Sequence, residues 1–266
     1  MIDQFVPLSV TRRLIARMEA THQRRRISVF SGPPGIGKTT AIDRFRAENP
    51  GSVAVVKVAR RPAKEVVVLQ HALESVRRLK GSSALTIPSS IWVLRSYLFR
   101  AFCEWGGIDA AEMRKSEEPI HHEGRFTLVF DEAQNLARDA IEVLRFWNDA
   151  DRCYAPFPIG IIFVGNSEFA LAGSARESVI SAAVADRALY LQTLDYDDVN
   201  DDDLRLMLDA HGGLDEGAVA ALVRAFGGSR PIRSLRRLLD ILEELEAFSA
   251  GGRISAPLVR QVLQAA

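Results

Sequence analysis

Residues Gly32-Pro33-Pro34-Gly35-Ile36-Gly37-Lys38-Thr39 space glycine, glycine, lysine and a hydroxyl in the pattern of a loop that wraps phosphates. Each residue type has a task there. Glycines let backbone N–H groups curl around a phosphate, and the start of the following helix adds the positive end of its dipole. Lys38 can bridge β- and γ-phosphate oxygens, and Thr39 offers a hydroxyl to Mg2+. Thr40 continues the phrase. A second set is Leu128-Val129-Phe130-Asp131-Glu132, an apolar run ending in two carboxylates that strand alternation points in different directions. Asp131 suits the magnesium shell, and Glu132 suits orienting and polarising an attacking water, because phosphoryl transfer depends on positioning and charge stabilisation. A third apolar run ends in Val164-Gly165-Asn166, where the Asn166 amide can hydrogen-bond the γ-phosphate or the water.

These residues need a scaffold that ends its strands together. Ile27-Ser28-Val29-Phe30 reads as a strand running into the glycine turn, residues 39–48 as a helix stopped by Asn49-Pro50-Gly51, and residues 52–58 as a second strand. Strand, helix, strand implies a parallel α/β sheet. Helical stretches follow over about 63–80 and 89–105, then strands over 126–130 and 159–164 separated by a helix over 138–149, and a last strand over 188–191. Five parallel strands flanked by helices place Asp131, Glu132 and Asn166 at the C-terminal sheet edge, where open α/β sheets bind ligands. Beyond Asp195 the strand signals stop. Four helical patterns, near 200–210, 215–226, 231–248 and 256–265, form a small all-helical region. The expected division is a helical, basic segment over 1–26, an α/β core over 27–193 and a helical lid over 194–266.

Composition narrows the class. The chain has 266 residues, 47% apolar and 26% charged, which excludes disorder, collagen and a coiled-coil rod. Cys103 and Cys153 stand far apart without a Cys or His companion at ligand spacing, against a zinc site or disulfide framework. No apolar run is long enough for a membrane span and the start lacks a signal-peptide pattern, so a cytoplasmic location is expected. His121-His122 read as loop residues, and Trp92, Trp105 and Trp147 as packing anchors. The formal charge is zero, with 34 basic against 34 acidic residues, but it is unevenly spread. Residues 1–64 carry 13 Lys/Arg against 4 Asp/Glu, and residues 194–266 carry 8 against 13. A basic front is either a solvated surface or a nucleic-acid footprint.

From Ile27 to the C-terminus the sequence resembles the AAA+ ATPases, with a Walker A loop at Gly32–Thr39, a Walker B strand at Leu128–Glu132, sensor 1 at Asn166 and a helical lid. Within them, Gly-Pro-Pro-Gly-Ile-Gly-Lys-Thr-Thr, Asp131-Glu132-Ala133-Gln134-Asn135-Leu136 and Val164-Gly165-Asn166 look most like the transposition ATPases of the phage Mu B, TniB, TnsC and IstB type and the related ExeA-like ATPases. The resemblance implies ATP and Mg2+ as cofactors, hydrolysis between subunits of a ring or filament, and assembly on double-stranded DNA without sequence preference. It also implies target presentation to a transposase. By the same resemblance Arg187, with Arg176 in reserve, matches an arginine finger reaching a neighbouring subunit, and Arg233, with Arg230 as competitor, matches the lid's sensor 2. Arginine's fixed fork of donors suits either task. Arg60, Arg61 and Lys64 are the favoured DNA-backbone contacts, with Arg24-Arg25-Arg26 and Arg77-Arg78-Lys80 behind them; such contacts are sequence-independent and salt-sensitive. Competing readings are a helicase loader or replication initiator, a DNA-free ExeA-like scaffold ATPase and a small-molecule kinase.

Overall fold

The computed structural model describes residues 5–58, 64–79, 81, 87–115, 123–149, 155–169, 180–227, 233–249 and 251–265. Its contacts separate two compact units, one made of Ile15–Ser31 and Ile42–Thr193, the other of Met1–Leu14, Gly32–Ala41 and Leu194–Ala266.

The first unit holds the sheet. Strands β1 (Ile27–Ser31), β2 (Val53–Lys57), β3 (Thr127–Asp131), β4 (Gly160–Gly165) and β5 (Ala188–Thr193) lie in the order β2-β3-β4-β1-β5, and every pairing is parallel. The three central strands are buried along their whole length, whereas the edge strands β2 and β5 are partly exposed. That is the pattern of a parallel sheet covered on both faces, and it explains why β1, β3 and β4 are continuous apolar runs without alternation. Helices α3 (Glu65–Leu79), α4 (Ile91–Gly106) and α6 (Arg138–Asn148) turn apolar stripes onto this core. In α6 the stripe is Ala140, Ile141, Leu144 and Trp147, the spacing of one helical face. Phe102, Phe126 and Trp147 meet edge to face in the same core, each contributing on the order of 2–3 kcal/mol by burial.

Two short helices here, α5 (Ala110–Lys115) and α7 (Ala182–Arg187), have no counterpart in the sequence pattern. Six residues are too few to display a helical period. The Ser181 hydroxyl caps α7 by accepting from Val184 N at 3.2 Å. Trp92 corrects the expectation of a packing anchor, since it is 78% exposed on α4. Trp147 is buried, and Trp105 packs against Phe126 and Phe157 while its indole N–H donates to Gly51 O at 2.7 Å. Cys103 is buried in a small cluster with Phe99 and Met113; Cys153 and His121-His122 lie outside the described residues.

The second unit contains the phosphate-loop segment and helices α8 (Asp201–His211), α9 (Glu216–Phe226), α10 (Leu235–Ser249) and α11 (Ala256–Ala265). The acidic stretch that opens it is a run of helix starts. Asp195 and Asp198 form one reciprocal cap, Asn200 and Asp203 the next, and Asp215 accepts from Ala218 N to start α9, each satisfying donors a helix start leaves orphaned. Helices α1 (Ser9–Arg24) and α2 (Lys38–Glu48) begin in this unit and end in the other. Among the described residues, no helix is long and apolar enough to cross a membrane.

Candidate nucleotide-hydrolysing site

The loop after β1 has the backbone its glycines predict. Gly35 and Gly37 sit at φ +76° and +90°, conformations that side-chain-bearing residues rarely take. A Cβ at Gly35 would lie 2.3 Å from Ser234 Oγ, and one at Gly37 would lie 2.8 Å from Thr11 Cγ2. The loop is therefore lined closely by the first turn of α1 and the start of α10. Leu235 N donates to Gly35 O at 2.7 Å, and the Tyr196 hydroxyl donates to Pro34 O at 3.2 Å. Lys38 folds its ammonium back onto Gly32 O at 2.8 Å and Pro33 O at 2.7 Å. Ile36 is buried, Pro33 is half-buried, and Thr39 and Thr40 are exposed in the first turn of α2. A charged amine, exposed hydroxyls and a helix start at positive-φ glycines form a cradle that fits a polyphosphate.

In the sheet unit, Asp131 closes β3, 6% exposed, with Oδ1 accepting from Glu132 N at 3.0 Å. Glu132, exposed, has φ +59°, a conformation uncommon outside glycine and a recurrent mark of functional sites. Register sets Asp131 opposite Val164 and Ser31 opposite Gly165. Asn166 follows directly, and its Oδ1 accepts from Glu168 N at 3.2 Å, which leaves the amide NH2 as the group able to donate to an oxyanion.

Sequence reasoning missed Gln134. Its Nε2 donates to Glu132 Oε2 at 2.5 Å while its Oε1 accepts from Asn166 N at 3.0 Å. The residue stands in the Asp131–Leu136 phrase, but its reach depends on the Glu132 backbone, which the sequence pattern does not display.

The arginines separate. Arg187 ends α7, 41% exposed, with Nε 3.4 Å from Asp149 Oδ1 and Nη1 donating to Ala183 O at 3.3 Å. It precedes Ala188, which pairs with Ile27, so it stands at the strand-start edge, away from Asp131. Arg233 is 15% exposed, its Nη1 donating to Val199 O at 2.8 Å and to Asp201 Oδ1 at 2.9 Å. Arg236, also absent from the sequence expectation, stands beside the loop: a Cβ on Gly35 would lie 3.2 Å from its Cβ. Of the expected DNA contacts, Lys64 is exposed just before α3, and Arg60 and Arg61 lie outside the described residues, as do Lys80, Arg176 and Arg230. Arg24 and Arg26 are exposed, and Arg25 is half-buried.

Residues 21–171 match the family described as "AAA domain", more than half of the chain. No match is found among curated proteins. Among solved structures, Cdc6p from Pyrobaculum aerophilum is similar at TM-score 0.67 and 15% identity over 100% of this chain and 69% of that one. The Drosophila origin recognition complex bound to DNA gives 0.55 and 16% over 96% of this chain and 59% of that one. The Thermotoga maritima RuvB Holliday junction branch migration motor gives 0.53 and 16% over 96% and 68%. With a parallel sheet, a phosphate loop after β1 and paired carboxylates closing β3, the chain belongs to the AAA domain family and is an AAA+ P-loop ATPase.

Proposed function

We propose that this ATPase assembles with further copies of itself on double-stranded DNA, independently of sequence, and presents that DNA to a transposase. The core over 27–193 would hydrolyse ATP, with the helical lid over 194–266 responding to the nucleotide. The observation that carries the hydrolytic part is that β1, β4 and β3 are neighbours ending at one sheet edge, in registers that place Asp131 opposite Val164 and Ser31 opposite Gly165. Gly32–Thr40 would bind the nucleotide phosphates through Lys38 and the backbone N–H groups. Thr39 and Asp131 are the ligands this chain offers to Mg2+, which when bound neutralises charge on the β- and γ-phosphate oxygens.

Glu132 orients a water and takes its proton on a carboxylate oxygen as the water oxygen bonds to the γ-phosphorus and the bond to the ADP oxygen breaks. Asn166 donates from its amide to the reacting oxygens. Arg187 stands one strand length, about 16 Å, from the edge where Asp131 sits, so its guanidinium serves a second copy better than its own. Arg233 is committed to Val199 and Asp201 and suits fixing the lid, with Arg230 a further candidate outside the described residues. Arg236 is the better placed to meet phosphate beside Gly35.

The DNA reading rests on the basic excess of residues 1–64, including Arg60, Arg61 and Lys64, and on the kinship in fold with the origin recognition complex bound to DNA. The Cdc6p and origin-complex folds favour a second reading, a replication initiator or helicase loader that uses the same ATPase with a different protein partner. The test is fluorescence anisotropy of a random-sequence duplex with ATP, ADP or no nucleotide at two salt concentrations, with electron microscopy of the same mixtures. Binding that needs ATP, weakens with salt and shows rings or filaments supports the DNA reading. Intact ATPase activity with no DNA binding in any nucleotide state overturns it and favours a protein-directed scaffold.

A further inference from the structure

The geometry points to Gln134 as a positioning residue that couples the end of β4 to the carboxylate of Glu132. Two hydrogen bonds make the link. Asn166 N donates to Gln134 Oε1 at 3.0 Å, and Gln134 Nε2 donates to Glu132 Oε2 at 2.5 Å. The first bond fixes the orientation of the amide, because a backbone N–H can only donate and therefore claims the oxygen. The NH2 is then the end that faces Glu132. A glutamine free to flip would not discriminate; this one is held from both sides.

The surroundings leave Glu132 dependent on that link. Its backbone is in the left-handed region at φ +59°, the side chain is exposed, and the next residues form a short 3-10 turn, Ala133–Asn135, at whose start Glu132 stands without a side-chain cap. Asn135 anchors the turn by donating from Nδ2 to Val58 O at 2.8 Å. The turn is thus fixed at one end and Gln134 projects from it as a fork between two strand ends. One oxygen of Glu132 accepts the hydrogen bond from the Gln134 amide, so Gln134 fixes which way the carboxylate faces and turns its other oxygen toward water. A displacement of the β4 end when Asn166 meets phosphate would reach Glu132 through these two bonds.

This rests on Glu132 being the group that activates water. Steady-state ATPase kinetics on the wild type, Gln134→Ala, Gln134→Glu and Glu132→Gln test the two ideas apart, with thermal melts and binding of a fluorescent ATP analogue as controls. Gln134→Ala is expected to lower kcat about tenfold, equivalent to about 1.4 kcal/mol, with KM for ATP within about twofold and the melting midpoint little changed. Gln134→Glu keeps an oxygen for Asn166 N and nearly the same shape but replaces the donor to Glu132 with a second carboxylate, so it is expected to lower kcat at least as far, again without raising KM. Wild-type kcat in both Gln134 variants would overturn the inference, as would a rescue of kcat by Gln134→Glu, or a kcat lowered together with a raised KM and a lower melting midpoint, which is what a merely structural glutamine gives. Hydrolysis at the wild-type rate by Glu132→Gln would instead remove the reading of Glu132, whatever the Gln134 variants do.

Discussion

The carboxylate of Asp203 closes the starts of two helices at once. Oδ1 accepts from Ser9 N at 2.7 Å and Oδ2 accepts from the Ser9 hydroxyl, while Oδ2 also takes Asn200 N at 3.3 Å. Asp203 is 2% exposed, so water cannot replace it cheaply. It ties the first residue of α1 to the start of α8, and Arg13 pairs with Asp198 one turn further along. Asp203→Ala removes the acceptor from the start of α1 and half of the reciprocal cap of α8, where Asn200 Oδ1 still accepts from the backbone N of residue 203, and is expected to lower stability by about 2 kcal/mol, read as a lower denaturation midpoint. Asp203→Asn keeps one acceptor oxygen and should lose about half as much. Equal midpoints for wild type and Asp203→Ala would show that the cap contributes nothing.

Lys38 has two possible sets of partners. Its ammonium rests on the carbonyls of Gly32 and Pro33, neutral acceptors that a polyphosphate outcompetes through charge. Lys38→Ala is therefore expected to weaken binding of an ATP analogue at least tenfold, about 1.4 kcal/mol or more, by calorimetry, while the melting midpoint in the absence of nucleotide moves little. Retained affinity would show that the backbone cradle alone holds the phosphates.

The five strands and the phosphate loop were legible because their signals are local. Continuous apolar runs that stop at Ser31, Asp131 and Gly165 are themselves the buried strands. What escaped depends on neighbours distant in sequence. Helical period places Trp92 on α4 but cannot say that its ring stays exposed there. Arg233 and Arg236 differ by about one turn at a helix start, and only the closeness of Gly35 to that start separates their surroundings. The acidic residues from Asp195 onward stand in the sequence only as a charge excess, yet Asp195, Asp203 and Asp215 are helix caps. Gln134 reads as an ordinary polar residue until the positive φ of Glu132 turns the chain so that it reaches both strand ends.

Two glycines separate backbone strain from crowding. Gly35 and Gly51 have nearly the same φ, +76° and +77°, but a Cβ on Gly35 meets Ser234 Oγ at 2.3 Å whereas one on Gly51 meets nothing within 4 Å. Gly51→Ala carries the conformational cost alone, about 1 kcal/mol. Gly35→Ala adds a collision at the loop that would hold phosphate. The expected result is a modest loss of stability for Gly51→Ala with nucleotide affinity unchanged, and a larger loss with weakened affinity for Gly35→Ala. Equal effects in melting and nucleotide titration would mean that the start of α10 yields to the added methyl.

His22 gives the sheet unit a pH dependence with a definite sign. The imidazole is 4% exposed, with Nδ1 2.8 Å from Thr127 Oγ1 and its ring edge against Phe45. Burial, the largest influence, holds its pKa below the ordinary 6.5; Glu19 opposes this, and Arg125 and Arg25 add to it. The unfolded chain therefore takes up a proton as pH falls through 6.5, while the folded chain does so only at lower pH. Between those two values the unfolded state binds more protons, so stability rises with pH across the window and is lost as pH falls through it. Denaturation midpoints measured from about pH 8 down to about pH 5 should fall on the acid side of the ordinary histidine range. In His22→Gln, which keeps a polar group near Thr127 without a titrating proton, that part of the fall should disappear. Every other residue is common to both proteins, so the difference between the two curves isolates His22. Parallel curves would mean that the folded protein accommodates the imidazolium as readily as the unfolded chain does.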